Sequence, residues 1–74
     1  MDYIFVTVKE YLDSGAELDL GQEIFVKKQN KLDFIGIVYD KNKNKLTIKS
    51  NNNTIIKSQE ECYLKFNIIK IKRQ

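Results

Sequence analysis

Eight lysines crowd the segments that read as β-hairpins. Lys27, Lys28 and Lys31 flank the first, Lys41, Lys43 and Lys45 the second, and Lys49 and Lys57 sit beside the third. Ammonium groups gathered on one side of a small domain neutralise phosphates and bind nucleic acid in a salt-sensitive, largely sequence-independent way. Tyr39, with Phe34 and Tyr63, supplies rings on which bases can stack. The competing reading is a solvated lysine surface that keeps a β-protein soluble and blunts its edges. Arginine, the better reader of phosphates and bases, occurs once, at Arg73. Successive hairpins also alternate between the two ends of a meander, so the larger clusters need not touch. Lysine, isoleucine and asparagine are the residues AT-rich codons supply, which further weakens any argument from lysine alone.

A second set is aromatic. In alternating strands Tyr3 and Phe5 oppose Ile4 and Val6, and Phe25 opposes Ile24 and Val26. Either both faces of the sheet are covered or an aromatic row stands outside as a partner site. Tyr3, Phe5, Tyr11 and Phe25 are the candidate anchors for a protein partner. A helix or a second copy of the chain could equally cover them, and small domains often complete a thin core by forming homo-oligomers. Charge is unevenly spread: residues 1–24 carry a net −5 and residues 25–74 a net +8. The acidic N-terminal segment could steer a basic partner, and the remainder a polyanion.

The residue inventory argues against catalysis. Histidine is absent and cysteine occurs once, which removes the commonest general base, the commonest metal ligand, Cys-rich zinc sites and any intramolecular disulfide. No glycine-rich phosphate loop, Gly-x-Ser-x-Gly or Cys-x-x-Cys occurs. The carboxylates Asp13, Glu17, Asp19 and Glu23 surround a loop without the ligand spacing of an EF-hand, so neither a metal nor a cofactor is expected. Glu60 and Glu61 read as acids of a short helical turn. Cys62 begins a strand on the same face as Leu64 and Phe66, the place of a small core residue. No apolar run approaches the roughly 20 residues that cross a bilayer. The acidic start Met1-Asp2 is unlike a secretory signal, so the expected location is cytoplasmic, and the sequon Asn52-Asn53-Thr54 reads as chance.

The elements that must position these residues are mostly extended. Tyr3–Val6 reads as a strand. Thr7-Val8-Lys9-Glu10 has the form of a capping box, and Gly15 is placed to stop a helix over 8–14. The rival is a strand continuing to Leu12, since Ile4, Val6, Val8 and Leu12 also keep a period of two. Strands follow at Gln22–Lys28, at Phe34–Asp40 with Ile35, Ile37 and Tyr39 opposed to Phe34, Gly36 and Val38, at Lys45–Ser50, and at Thr54–Ser58. The intervening turns are 29–33, 40–44 and 51–53, where asparagines tolerate positive φ. One helical or 3₁₀ turn over 58–61 leads to a last strand whose phase slips near Asn67–Ile69, a candidate bulge.

A meander, a short turn and a bent closing strand are what a small barrel needs to remove its edges. Gly21-Gln22-Glu23-Ile24-Phe25-Val26-Lys27-Lys28, Phe34-Ile35-Gly36-Ile37-Val38-Tyr39-Asp40 and Lys45-Leu46-Thr47-Ile48-Lys49 together resemble the SH3-like small barrels of the KOW and Tudor kind, over about residues 21–70. The expected fold is therefore mostly β: one domain over 1–74, with an N-terminal strand and short helix in 1–20 and a five- or six-stranded SH3-like barrel in 21–74. The resemblance implies RNA or protein binding. The expected function is a non-catalytic module whose lysine-bearing face meets nucleic acid or a nucleoprotein. The alternative is a protein-binding adaptor or inhibitor. Size and AT-rich composition also fit accessory proteins of phages and plasmids, including blockers of host defence systems.

Overall fold

The computed structural model describes residues 3–67. Six strands and one short helix follow one another as β1 (Tyr3–Thr7), α1 (Val8–Asp13), β2 (Glu23–Lys28), β3 (Lys31–Asn42), β4 (Lys45–Ser50), β5 (Asn53–Ser58), a 3₁₀ turn (Gln59–Glu61) and β6 (Cys62–Asn67). The chain is thus mostly β with one short helix. The strands form a single antiparallel sheet in the order β1-β6-β2-β3-β4-β5. Among the described residues this sheet is open, with β1 and β5 at its edges. The bulge expected at Asn67–Ile69 lies largely outside the described residues. No helix among them is long and apolar enough to cross a membrane.

The capping sequence decides the local choice at Thr7 in favour of the helix. The Thr7 hydroxyl accepts a hydrogen bond from the Glu10 backbone N–H at 3.1 Å, satisfying one of the first-turn donors. At the other end, Gly15 takes the left-handed conformation (φ 95°) and its N–H donates to the Leu12 carbonyl at 3.0 Å. The exposed pair Lys9–Asp13, one turn apart at 3.1 Å, adds little. The helix owes its place mainly to Val8, which is fully buried, with Tyr11 and Leu12 packed beside it on the core.

That core lies on one face of the sheet. Ile24, Val38, Leu46, Ile48, Cys62 and Leu64 are buried there with Val8, and the half-buried Leu18, Ile35, Ile55 and Phe66 surround them. The register explains the set, because residues directly opposite share a face: Val38 faces Ile48, Ile48 faces Ile55, Val26 faces Cys62 and Val6 faces Leu64. Hydrogen bonds tie the loop before β2 to the middle of β3, with the Gly21 N–H donating to the Val38 carbonyl at 2.8 Å and the Val38 N–H to the Gln22 carbonyl at 2.9 Å. The 3₁₀ turn is stapled to the β3–β4 hairpin by the Gln59 N–H, which donates to the Asn44 carbonyl at 2.9 Å, and by the Gln59 side-chain amide, which donates to the Lys43 carbonyl.

β3 departs from simple alternation. Ile24 pairs with Gly36 but Phe25 pairs with Phe34, so Ile35 is an extra residue; Val38 pairs with Ile48 but Asp40 with Thr47, so Tyr39 is another. Each bulge slips the phase by one residue. The expected grouping of Phe34 with Gly36 and Val38 is therefore wrong: Ile35 packs on the core, while Phe34 stands 53% exposed on the opposite face with Ile37. β3 is also longer than expected at both ends, which tightens the flanking turns to two residues. The first residues of the three hairpin turns, Gln29, Lys43 and Asn51, carry φ of 57°, 57° and 54°, so asparagine takes the left-handed position only in the β4–β5 turn.

Between the two bulges β3 presses close against β4. Gly36 has φ 147°, and a Cβ there would stand 2.5 Å from the Lys49 carbonyl oxygen and 2.8 Å from Ile48 Cγ2. The Gly36→Ala variant is expected to lose about 3 kcal/mol, from combined backbone strain and overpacking. Urea unfolding followed by circular dichroism measures this; a loss under about 1 kcal/mol would contradict so close an approach.

Candidate nucleic-acid interface

The face of the sheet away from the core carries the exposed aromatics. Following the register outward from β1, it presents Tyr3 and Phe5, then Tyr63 and Lys65 on β6, Glu23, Phe25 and Lys27 on β2, Phe34, Ile37 and Asp40 on β3, and Lys45, Thr47 and Lys49 on β4. Phe5 meets Phe25 edge-on with ring centroids 5.5 Å apart, and Phe25 meets Phe34 in the same way at 5.7 Å. Three rings from β1, β2 and β3 thus form one row, held together by edge-to-face packing. Phe5 is 38%, Tyr3 48% and Tyr39 58% exposed.

Lysines are interleaved with the row. The Lys65 ammonium lies 4.1 Å from the Tyr3 ring centroid and 5.8 Å from that of Phe25, and the Lys49 ammonium lies 4.5 Å from that of Tyr39. Cation–π attraction places these ammonium groups over the rings while their stems cover apolar surface. Lys27 shares the face through its pairing with Leu32, beside Phe25 and Phe34. The arrangement joins apolar ring surface to positive charge on one face, which also carries the Glu23 and Asp40 carboxylates.

The sequence-derived lysines divide between the faces. Lys27, Lys45 and Lys49 belong to the aromatic face; Lys41 and Lys57, both opposite Leu46, belong to the core face; Lys28 pairs with Lys31 at the β2–β3 turn, and Lys43 occupies the β3–β4 turn. The two hairpin clusters stand at opposite ends of β3 and do not merge. Of the aromatic anchors, Tyr3, Phe5 and Phe25 come together. Tyr11 does not: it packs against Phe66 at 5.5 Å beside the core. Lys65 was not among the lysines singled out from sequence, although the alternation of Cys62, Leu64 and Phe66 already assigns Tyr63 and Lys65 to the other face.

β6 and β2 share only two paired positions, Phe25 with Tyr63 and Val26 with Cys62, while on its other side β6 pairs with β1 from Tyr63 to Asn67. In the fork they leave is a cavity of about 300 Å³ lined by Tyr3, Gln22, Glu23, Lys65 and Asn67. The acidic loop residues remain apart, and no three potential metal ligands converge among the described residues.

No family model matches the chain, and no curated protein or solved structure is significantly similar to it.

Cys62 is fully buried in the core. Burial, aided by the neighbouring Glu61 carboxylate and opposed by Lys57, pushes its thiol up to about 11 from the usual 9.0. A raised pKa in the folded state leaves the native protein holding the proton longer than the unfolded chain, so this group's stabilisation is full below about pH 9 and drains away toward about pH 11. Replacing Cys62 by Val is expected to flatten that part of the stability profile relative to wild type. Denaturant midpoints of both proteins across this range measure it, and parallel profiles would contradict the assignment.

Proposed function

We propose that this chain is a non-catalytic binding module of the SH3-like small-barrel kind, and that its aromatic face binds single-stranded nucleic acid. The single observation that carries the reading is the strip in which Tyr3, Phe5, Phe25, Phe34 and Tyr39 alternate with Lys27, Lys49 and Lys65 on one side of the sheet. Exposed rings offer stacking surface to any base, and adjacent ammonium groups take the phosphates. A base-paired duplex hides the faces of its bases, so a stacking strip favours unpaired strands. The barrel reading is supported by β6, which returns to lie beside β2, the first strand of the meander, after one 3₁₀ turn.

The second reading is a protein partner anchored on the same rings. The mutual packing of Phe5, Phe25 and Phe34 favours it, since a rigid aromatic cluster also suits a protein hot spot. The two readings differ in their dependence on salt.

Fluorescence anisotropy with labelled T9, U9 and a duplex of equal length separates them. With three phosphate contacts, single-strand affinity is expected to fall about 20-fold between about 50 and about 200 mM salt. The Phe34→Ala variant should weaken it by roughly 5-fold or more, with a loss of about 1 kcal/mol in stability from its edge-to-face contact with Phe25. Absence of binding to any strand at the lower salt would overturn the nucleic-acid reading and leave the protein partner.

A further inference from the structure

The cavity in the β2–β6 fork has the chemistry of a base-reading pocket. It opens onto the aromatic strip, because Tyr3 and Lys65 belong to both. Its size lies at the lower end of the range for small-molecule sites. Tyr3 from β1 gives it an aromatic wall, Glu23 at the start of β2 an acceptor-only carboxylate, and Lys65 on β6 a donor-only ammonium. Gln22 adds an amide whose oxygen accepts from the Asp19 backbone N–H at 3.4 Å, which leaves its NH₂ directed elsewhere.

We infer that this pocket receives an unpaired guanine of the bound strand and makes the otherwise sequence-tolerant face prefer guanine. The inference rests on the nucleic-acid reading above. The pocket and the base have complementary edges. The Watson–Crick edge of guanine presents two adjacent donors, N1–H and N2–H₂, followed by the acceptor O6. Glu23 can take both donors on its two carboxylate oxygens, and Lys65 can donate to O6. No other base matches. Adenine and cytosine each place a ring-nitrogen acceptor next to their amino group, where a carboxylate oxygen is repelled. Thymine and uracil flank their one donor with two carbonyl oxygens. The Tyr3 ring supplies the wall along which the base lies, and the Lys65 ammonium, held over that ring in the free protein, moves to O6.

Anisotropy titrations of the full chain with T9, T4GT4, T4CT4 and an oligonucleotide with inosine at the centre test this. T4GT4 is expected to bind about 10-fold tighter than T9, T4CT4 no tighter than T9, and the inosine strand, which lacks the N2 amino group, in between. In the Glu23→Gln variant, which alters an exposed side chain, the ratio of T4GT4 to T9 affinity should fall to about one. Equal affinities of T9 and T4GT4 for wild type, or a guanine preference that survives Glu23→Gln, would overturn the inference while leaving the nucleic-acid reading intact. Failure of all four strands to bind would remove both.

Discussion

The close contact of β3 with β4 at Gly36 sets the rest of the structure. A strand of twelve residues cannot stay flat against its neighbours and still bury one face. β3 bends instead, with extra residues at Ile35 and Tyr39 on either side of the glycine. Glycine at 36 lets the backbones approach where any Cβ would meet the Lys49 carbonyl. The bulge at Ile35 has the larger consequence: it turns Ile35 onto the core and Phe34 out to meet Phe25. Without that slip, Phe34 would sit on the core side and the row from Phe5 would end at β2.

The sheet's two faces then divide the work. One is filled by aliphatic side chains and Cys62, closed over by Val8 and its neighbours from α1, and each well-buried aliphatic contributes on the order of 2 kcal/mol. The other is left to rings and ammonium groups. Rings packed edge to edge lose little further freedom when a ligand lands on them, and Lys49 is already drawn over Tyr39. A small domain with a thin core can support a rigid flat surface of this kind more readily than a deep enclosed site.

Much of the architecture was legible in the sequence because short-range rules govern it. Thr7, Glu10 and Gly15 mark the helix and its stop, and the alternation of Leu46 with Ile48 and of Cys62 with Leu64 marks the buried face. The candidate site was only partly legible. Tyr3, Phe5 and Phe25 could be grouped by alternation, but Phe34 joins them through a bulge that alternation cannot reveal, since a slip depends on the partner strand. Lysines close in sequence around a hairpin read as a cluster, yet Lys41 and Lys57 point to the core face while Lys45 and Lys49 point away. Lys65, isolated in sequence, becomes central only because β6 lies between β1 and β2. Strand order, a property of long-range pairing, carries that information.

The most direct test of this account is an NMR titration with a short oligo-T strand, read at side chains and not at backbone amides. The account predicts intermolecular contacts from base protons to the rings of Phe34 and Tyr3, with shifts of the Lys49 and Lys65 side chains, while the Tyr11 and Phe66 rings on the opposite side stay unperturbed. Contacts confined to α1 or to the Lys41–Lys43 turn, with the aromatic row unmoved, would contradict it.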